Sequence, residues 1–166
     1  MNVSIEAVKR SVPVLLALLG TLFAFSAPGG SSYHVGHRVW QDLNRNGIQD
    51  PNEPGMNGVI VKAYRAADNQ LLDTQVSHNN GDSDGIYSFS FDSSASVYLV
   101  FEPPKDFLFT ARNQGADDQL DSDADPLTGK TELIRFDPMK PASRIQGQWD
   151  AGLVAKLYEQ TAVRGH

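Results

Sequence analysis

The chain has 166 residues, 14 basic and 20 acidic side chains, a formal charge of −6 and no cysteine. With 40% hydrophobic and 20% charged residues it should fold, with room for one core and not two. The missing cysteines exclude disulfides, an acylated cysteine and a cysteine nucleophile, while the acidic balance argues against nucleic acid and attracts cations.

The first segment reads as a signal peptide over residues 1–26. Lys9 and Arg10 precede "SVPVLLALLGTLFAFSAPGG", whose apolar run breaks into small residues after Ala24, so cleavage is expected after Ser26 or Ala27. The run is short for a membrane span, which needs roughly 20 residues. An uncleaved anchor is the rival reading. Cleavage removes Lys9, Arg10 and Glu6, leaving 12 basic and 19 acidic residues and a charge of −7.

Beyond Ser31 short runs of Val, Tyr, Phe and Thr alternate with Gly, Pro, Asn and Asp clusters, which is an all-β pattern. Strands are predicted over 35–42, 59–65, 71–77, 86–91, 97–102, 107–110, 131–136 and 148–153. In "VKAYRA", Val61 and Ala63 face opposite to Lys62 and Tyr64, and in "YSFSF", Tyr87, Phe89 and Phe91 share a core side. Seven to eight such strands predict a two-sheet β-sandwich of prealbumin or immunoglobulin type. Trp40 and Trp149 fall within predicted strands and read as core. The final "VAKLYEQTAVRGH" reads as a tail over 155–166 in preference to a short helix.

The loop "DLNRNGIQDPNE" places Asp42, Asn44, Asn46, Gly47, Ile48, Asp50 and Glu53 at positions 1, 3, 5, 6, 7, 9 and 12 of a calcium-binding loop. Alternate side chains on a curved backbone point inward, glycine permits the sharp turn, Ile48 offers its carbonyl, and Glu53 closes the site. Pro54 and Gly55 forbid a long exit helix, but Asp50-Pro51-Asn52-Glu53 reads as a capping box that forms one turn. Turn chemistry alone accounts for such residues in general but not for this spacing.

A second acidic loop, "NQGADDQLDSDADPLTG", carries Asp117, Asp118, Asp121, Asp123 and Asp125. Carboxylates this crowded repel, so either the loop is splayed in water or a cation condenses it. The D-x-D-x-D spacing points to one or two further calcium ions. Asp82 and Asp84 sit on another turn, where a plain glycine turn is the equal alternative.

The blocks "GHRVWQDLNRNGIQDPNEPGMNGVIVKAY", "DGIYSF", "NQGADDQLDSDADPLTGKT" and "WDAGLV" resemble, in order and spacing, the SdrD B-like domain of serine-aspartate-repeat surface adhesins. The resemblance spans residues 35–154. It implies a prealbumin-like sandwich, related to collagen-adhesin B domains and rigidified by Ca2+, with Asp42, Asn44, Asn46, Ile48, Asp50 and Glu53 on the first ion and the acidic block near further ones. The chain departs from the pattern before "VYLVF" and before "GIYSF", and the second departure leaves Asp82 and Asp84 without an implied role. The related Lys–Asn isopeptide bond is not expected, because "VGHRVWQD" offers no lysine.

No catalytic constellation competes. The acidic loop looks too open to tune paired carboxylates, and His34 and His37 read as an exposed pair on opposite faces of a strand. The expectation is therefore a secreted, periplasmic or cell-surface structural module without a membrane span after cleavage. Recognition of an extracellular protein or glycan is the alternative. An unpaired strand edge or an exposed aromatic patch would favour it.

Overall fold

Eight strands make up the fold in the computed structural model, which describes residues 32–157. They are β1 (Tyr33–Gln41), β2 (Ile60–Arg65), β3 (Leu71–Val76), β4 (Ile86–Phe91), β5 (Val97–Glu102), β6 (Phe107–Phe109), β7 (Ile145–Gln146) and β8 (Ala151–Ala155). The expected leader at 1–26 and residues 158–166 of the expected tail lie outside the described residues, whereas Ala155 belongs to β8. Among the described residues no helix is long and apolar enough to cross a membrane.

The strands form a two-sheet sandwich. One sheet runs β4-β1-β8-β6 with β7 also paired to β1, and the other runs β3-β2-β5. Between them lie Val35, Val39, Val61, Ala63, Tyr87, Phe89, Leu99, Phe101, Ile134 and Leu153, all at most 1% exposed. Phe91 is only partly buried, at the edge of this cluster. Trp40 is fully buried, and Trp149 packs against the core from just outside a strand.

Two predicted strands differ from those observed. Residues 131–136 form no strand. Thr131, Ile134 and Phe136 lie inside, a spacing of three and then two that breaks the strand period, and the ladder to β5 is broken where the Thr131 hydroxyl, not a carbonyl, accepts the Leu99 amide. The strand expected over 148–153 is displaced to Ala151–Ala155, because residues 147–150 bulge away from β1. Before the bulge β7 pairs with His34 and Val35, and after it β8 pairs with Val39, Trp40 and Gln41, both in parallel. A two-residue strand such as β7 carries no readable period.

Gly152 lets β8 pass beneath Trp40. A methyl group there would come to 2.7 Å from the indole Cζ2 and 2.6 Å from Thr110 Cγ2. Gly152→Ala is expected to cost about 1–3 kcal/mol by overpacking, read as a lower urea midpoint at unchanged slope.

Candidate metal centre

β1 delivers its next residue, Asp42, into the interior, where it is 2% exposed. Its Oδ1 accepts the amides of Arg45 (2.6 Å) and Asn46 (3.3 Å), and its Oδ2 accepts the Gly47 amide (2.8 Å) and the Thr110 hydroxyl (2.5 Å). A carboxylate has about four such acceptor positions, so Asp42 is fully engaged in shaping the loop. Gly47 takes φ of 78°, and a side chain there would run into the Ala111 carbonyl. Asn44 and Asn46 both donate side-chain N–H to Asp50 Oδ2, at 2.7 and 3.0 Å. Glu53 is buried, and its two oxygens accept the Leu43 and Asp50 amides. The Glu53 carboxylate on the Asp50 amide is one half of the expected capping box; the other half is absent, because the Glu53 amide bonds the Asp50 backbone carbonyl at 3.0 Å while the Asp50 side chain accepts from Asn44 and Asn46.

The second acidic loop folds against the first. Ile48 forms a bridge with Asp121, and the Gln49 amide donates to the Leu120 carbonyl at 2.6 Å. Asp118, Asp121 and Asp123 each bring one carboxylate oxygen within 4.8 Å of the others. Asp121 is 5% exposed, and its Oδ1 is buried without a hydrogen-bond partner. Asp123 is 7% exposed, and its Oδ2 accepts the Asp150 amide at 2.7 Å. Asp118 is exposed and accepts Gln148 Nε2 at 3.3 Å. Burial first, then neighbouring carboxylates, pushes the Asp121 carboxyl up to about 6. Burial likewise pushes Asp123 to about 8, the Asp150 amide pulling the other way. These acids resist ionising together in the absence of a compensating charge.

The remaining predicted acids do turn chemistry. Asp117 accepts the Gln119 amide, and Asp125 Oδ1 accepts the Leu127 and Thr128 amides and the Thr128 hydroxyl. These bonds hold the Asp125 carboxyl below its ordinary range. Asp84 accepts Asn79 and Asn57 side-chain amides at 2.8 and 2.7 Å, which lowers it too.

Asp150 was not singled out from the sequence. It is fully buried in the bulge between β7 and β8, where it accepts the Arg38 amide at 2.7 Å and the His37 ring Nδ1 at 2.9 Å. A side chain thus replaces the missing backbone ladder on β1. Burial pushes Asp150 up, while His37 and the Arg38 amide pull it back. The one available signal was an acid inside an apolar strand pattern, "WDAGLV". His34 and His37 are both exposed, as expected, but His37 has a partner in Asp150 that was not expected.

The Asp150 hydrogen bond raises the His37 pKa above 6.5. A raised histidine contributes stability that is complete below its unfolded pKa and lost as pH rises through the folded one. His37→Asn is therefore expected to lower the melting temperature more at about pH 5.5 than at about pH 8.5. Equal losses at both would detach His37 from the charge on Asp150.

Fold and site together define a β-sandwich module in which two acidic loops are stitched to each other by backbone. The chain belongs to the SdrD B-like domain family, whose family model matches residues 33–153. It is 37% identical over 95 residues to serine-aspartate repeat-containing protein F of Staphylococcus epidermidis, which covers 57% of this chain and 6% of that protein. It is 35% identical over 97 residues to serine-aspartate repeat-containing protein C of Staphylococcus aureus, covering 58% of this chain and 10% of that one. Colossin-B of Dictyostelium discoideum is 36% identical over 77 residues, covering 46% of this chain and 2% of its own length. The chain thus corresponds to a small part of each relative.

Proposed function

We propose that this chain is a secreted or cell-surface structural module whose acidic loops are made rigid by Ca2+. The observation that carries the reading is the buried, unpartnered Asp121 Oδ1 beside the carboxylates of Asp118 and Asp123. An all-oxygen, multiply anionic donor set suits a hard divalent cation, and its mixed exposure leaves room for water in a flexible calcium shell. The cation would offset the burial and the mutual repulsion that raise the Asp121 and Asp123 carboxyls.

A further ion is proposed in the first loop, on Asn44, Asn46, Asp50, Glu53 and the Ile48 carbonyl. Asp42 joins that set only by sharing oxygens that already accept four hydrogen bonds. The Asn amides, which donate to Asp50, would have to turn their oxygens inward. The two loops bear on each other through Ile48 and Asp121, so loading either one limits motion in both. The reading is structural and not enzymatic, in keeping with a family of surface-protein repeats.

Calorimetric titration of the chain lacking residues 1–26 with Ca2+, and with Mg2+ as control, tests the reading. Saturable Ca2+ heat that weakens in Asp121→Asn is expected. Heat that Asp121→Asn leaves unchanged would remove the Asp118, Asp121 and Asp123 site from the proposal.

A further inference from the structure

The sheet edges are unequally protected. The outer side of β5 is covered by residues 129–134 through the Val97–Ile134 and Val100–Lys130 bridges. On β3, Asp73 Oδ1 takes the Thr74 amide at 2.7 Å and the His78 ring lies 3.2 Å from the Val76 carbonyl. β6 is three residues long and β7 two. That leaves β4.

Ile86 exchanges backbone hydrogen bonds with His78, each at 2.9 Å, so its backbone groups face away from β1. Strand alternation turns the N–H and C=O of Ser88 and Ser90 the same way. Neither has a partner among the described residues, and both side chains are small, uncharged and exposed. Charged side chains, prolines or bulges commonly guard such an edge, and none stands between Ile86 and Phe91. A cavity of about 350 Å³ opens beside this edge, lined by Ser90 and Phe91 of β4 together with Arg65, Leu72, Ala95 and Val97.

We propose that the β4 edge is a docking site for an extended segment of another polypeptide, which adds a strand beside Ser88 and Ser90 and seats an apolar side chain in the adjoining cavity. Paired backbone donors and acceptors two residues apart fit a peptide main chain and not a glycan. A second copy of this chain fits poorly. Its Tyr87 and Phe89 are committed to its own core, where each is 1% exposed, and two net-negative chains repel. Asp82 and Asp84 precede the strand and Asp92 follows it, so the complementary segment is apolar at alternate positions and basic at its ends. This inference is independent of Ca2+.

The test is selection of a displayed random decapeptide library on the chain lacking residues 1–26, with the Ser90→Pro chain as counter-selection. Proline at an outward-facing edge N–H is tolerated by the fold and removes the donor, and an unchanged melting temperature for Ser90→Pro verifies this. Enriched peptides are expected to alternate apolar residues, carry Lys or Arg at their ends, protect the Ser88 and Ser90 amides from hydrogen exchange, and bind Ser90→Pro about tenfold more weakly. If Ser90→Pro is unstable, Ala95→Trp, which fills the cavity, gives the same comparison. Enrichment of peptides that bind the proline and tryptophan variants equally well, or no enrichment, overturns the proposal. So does concentration-dependent protection of these two amides without peptide, which would assign the edge to a second copy.

Discussion

Millimolar Ca2+ is expected to raise the melting temperature at neutral pH, and Asp121→Asn is expected to remove the share of that rise due to the Asp118, Asp121 and Asp123 site while stabilising the metal-free chain. With affinities of about 10⁻⁴–10⁻³ M, typical of extracellular calcium modules, each site adds about 0.4–1.4 kcal/mol. In a domain of this size that is a few degrees, on the order of 2–6 °C. The pH dependence sharpens the expectation. Asp121 and Asp123, at about 6 and about 8 in the fold, lie above their unfolded values, so the native state holds more protons than the unfolded one. Stability therefore falls as pH rises from about 4 through these values, and the gain from Ca2+ grows over the same interval. Asparagine resembles the protonated acid in shape but has no charge for a cation, hence the opposite signs with and without metal. Scanning calorimetry of both chains, with Ca2+ and with excess chelator, reads all four states. Identical melting of the wild type with Ca2+ and with chelator would refute the calcium reading. Asp42→Ala is a poorer test, because it strands the Arg45 and Gly47 amides and the Thr110 hydroxyl whether or not metal binds.

The second large effect is expected at Asp150. Truncation to alanine leaves the Arg38 amide and the His37 ring without their acceptor and opens a gap at the β7–β8 bulge. The cost should be about 2–4 kcal/mol, measured by urea unfolding. Asp150→Asn should cost less, since an amide oxygen can still accept the Arg38 N–H, but it should erase the His37-dependent difference between acid and alkaline pH. Loss of native near-ultraviolet dichroism in Asp150→Ala alone would show that the bulge organises packing beyond its own bonds. If Asp150→Ala unfolds at the wild-type urea midpoint, the carboxylate does not hold β1 to the bulge.

Much of this molecule is written in local pattern. The alternation in "VKAYRA" and "YSFSF" foretells which side chains are buried, because a strand turns successive side chains to opposite faces whatever surrounds it. The loop from Asp42 to Glu53 is equally local. Its backbone-to-Asx bonds, positive-φ glycine and the Glu53 carboxylate on the Asp50 amide involve residues at most five apart, while the Leu43 amide on Glu53, the Gln49 amide on Leu120 and the Thr110 hydroxyl on Asp42 reach further. Residues 131–136 misled because their strand-like residue types serve burial at Thr131, Ile134 and Phe136, with only isolated bridges to β5 in place of continuous backbone pairing.

What the sequence by itself determined is the β-sandwich class, the identity of its inward-facing residues and the oxygen-rich spacing of two loops, since each depends on neighbours along the chain. Only the tertiary structure decided that Asp118, Asp121 and Asp123 converge while Asp117 and Asp125 close turns, that Asp150 fills a break beside β1, and that β4 keeps an open edge. Those outcomes depend on contacts between residues up to 113 positions apart. Burial and pairing across such distances follow from how the sheets stack, which no short window of sequence encodes.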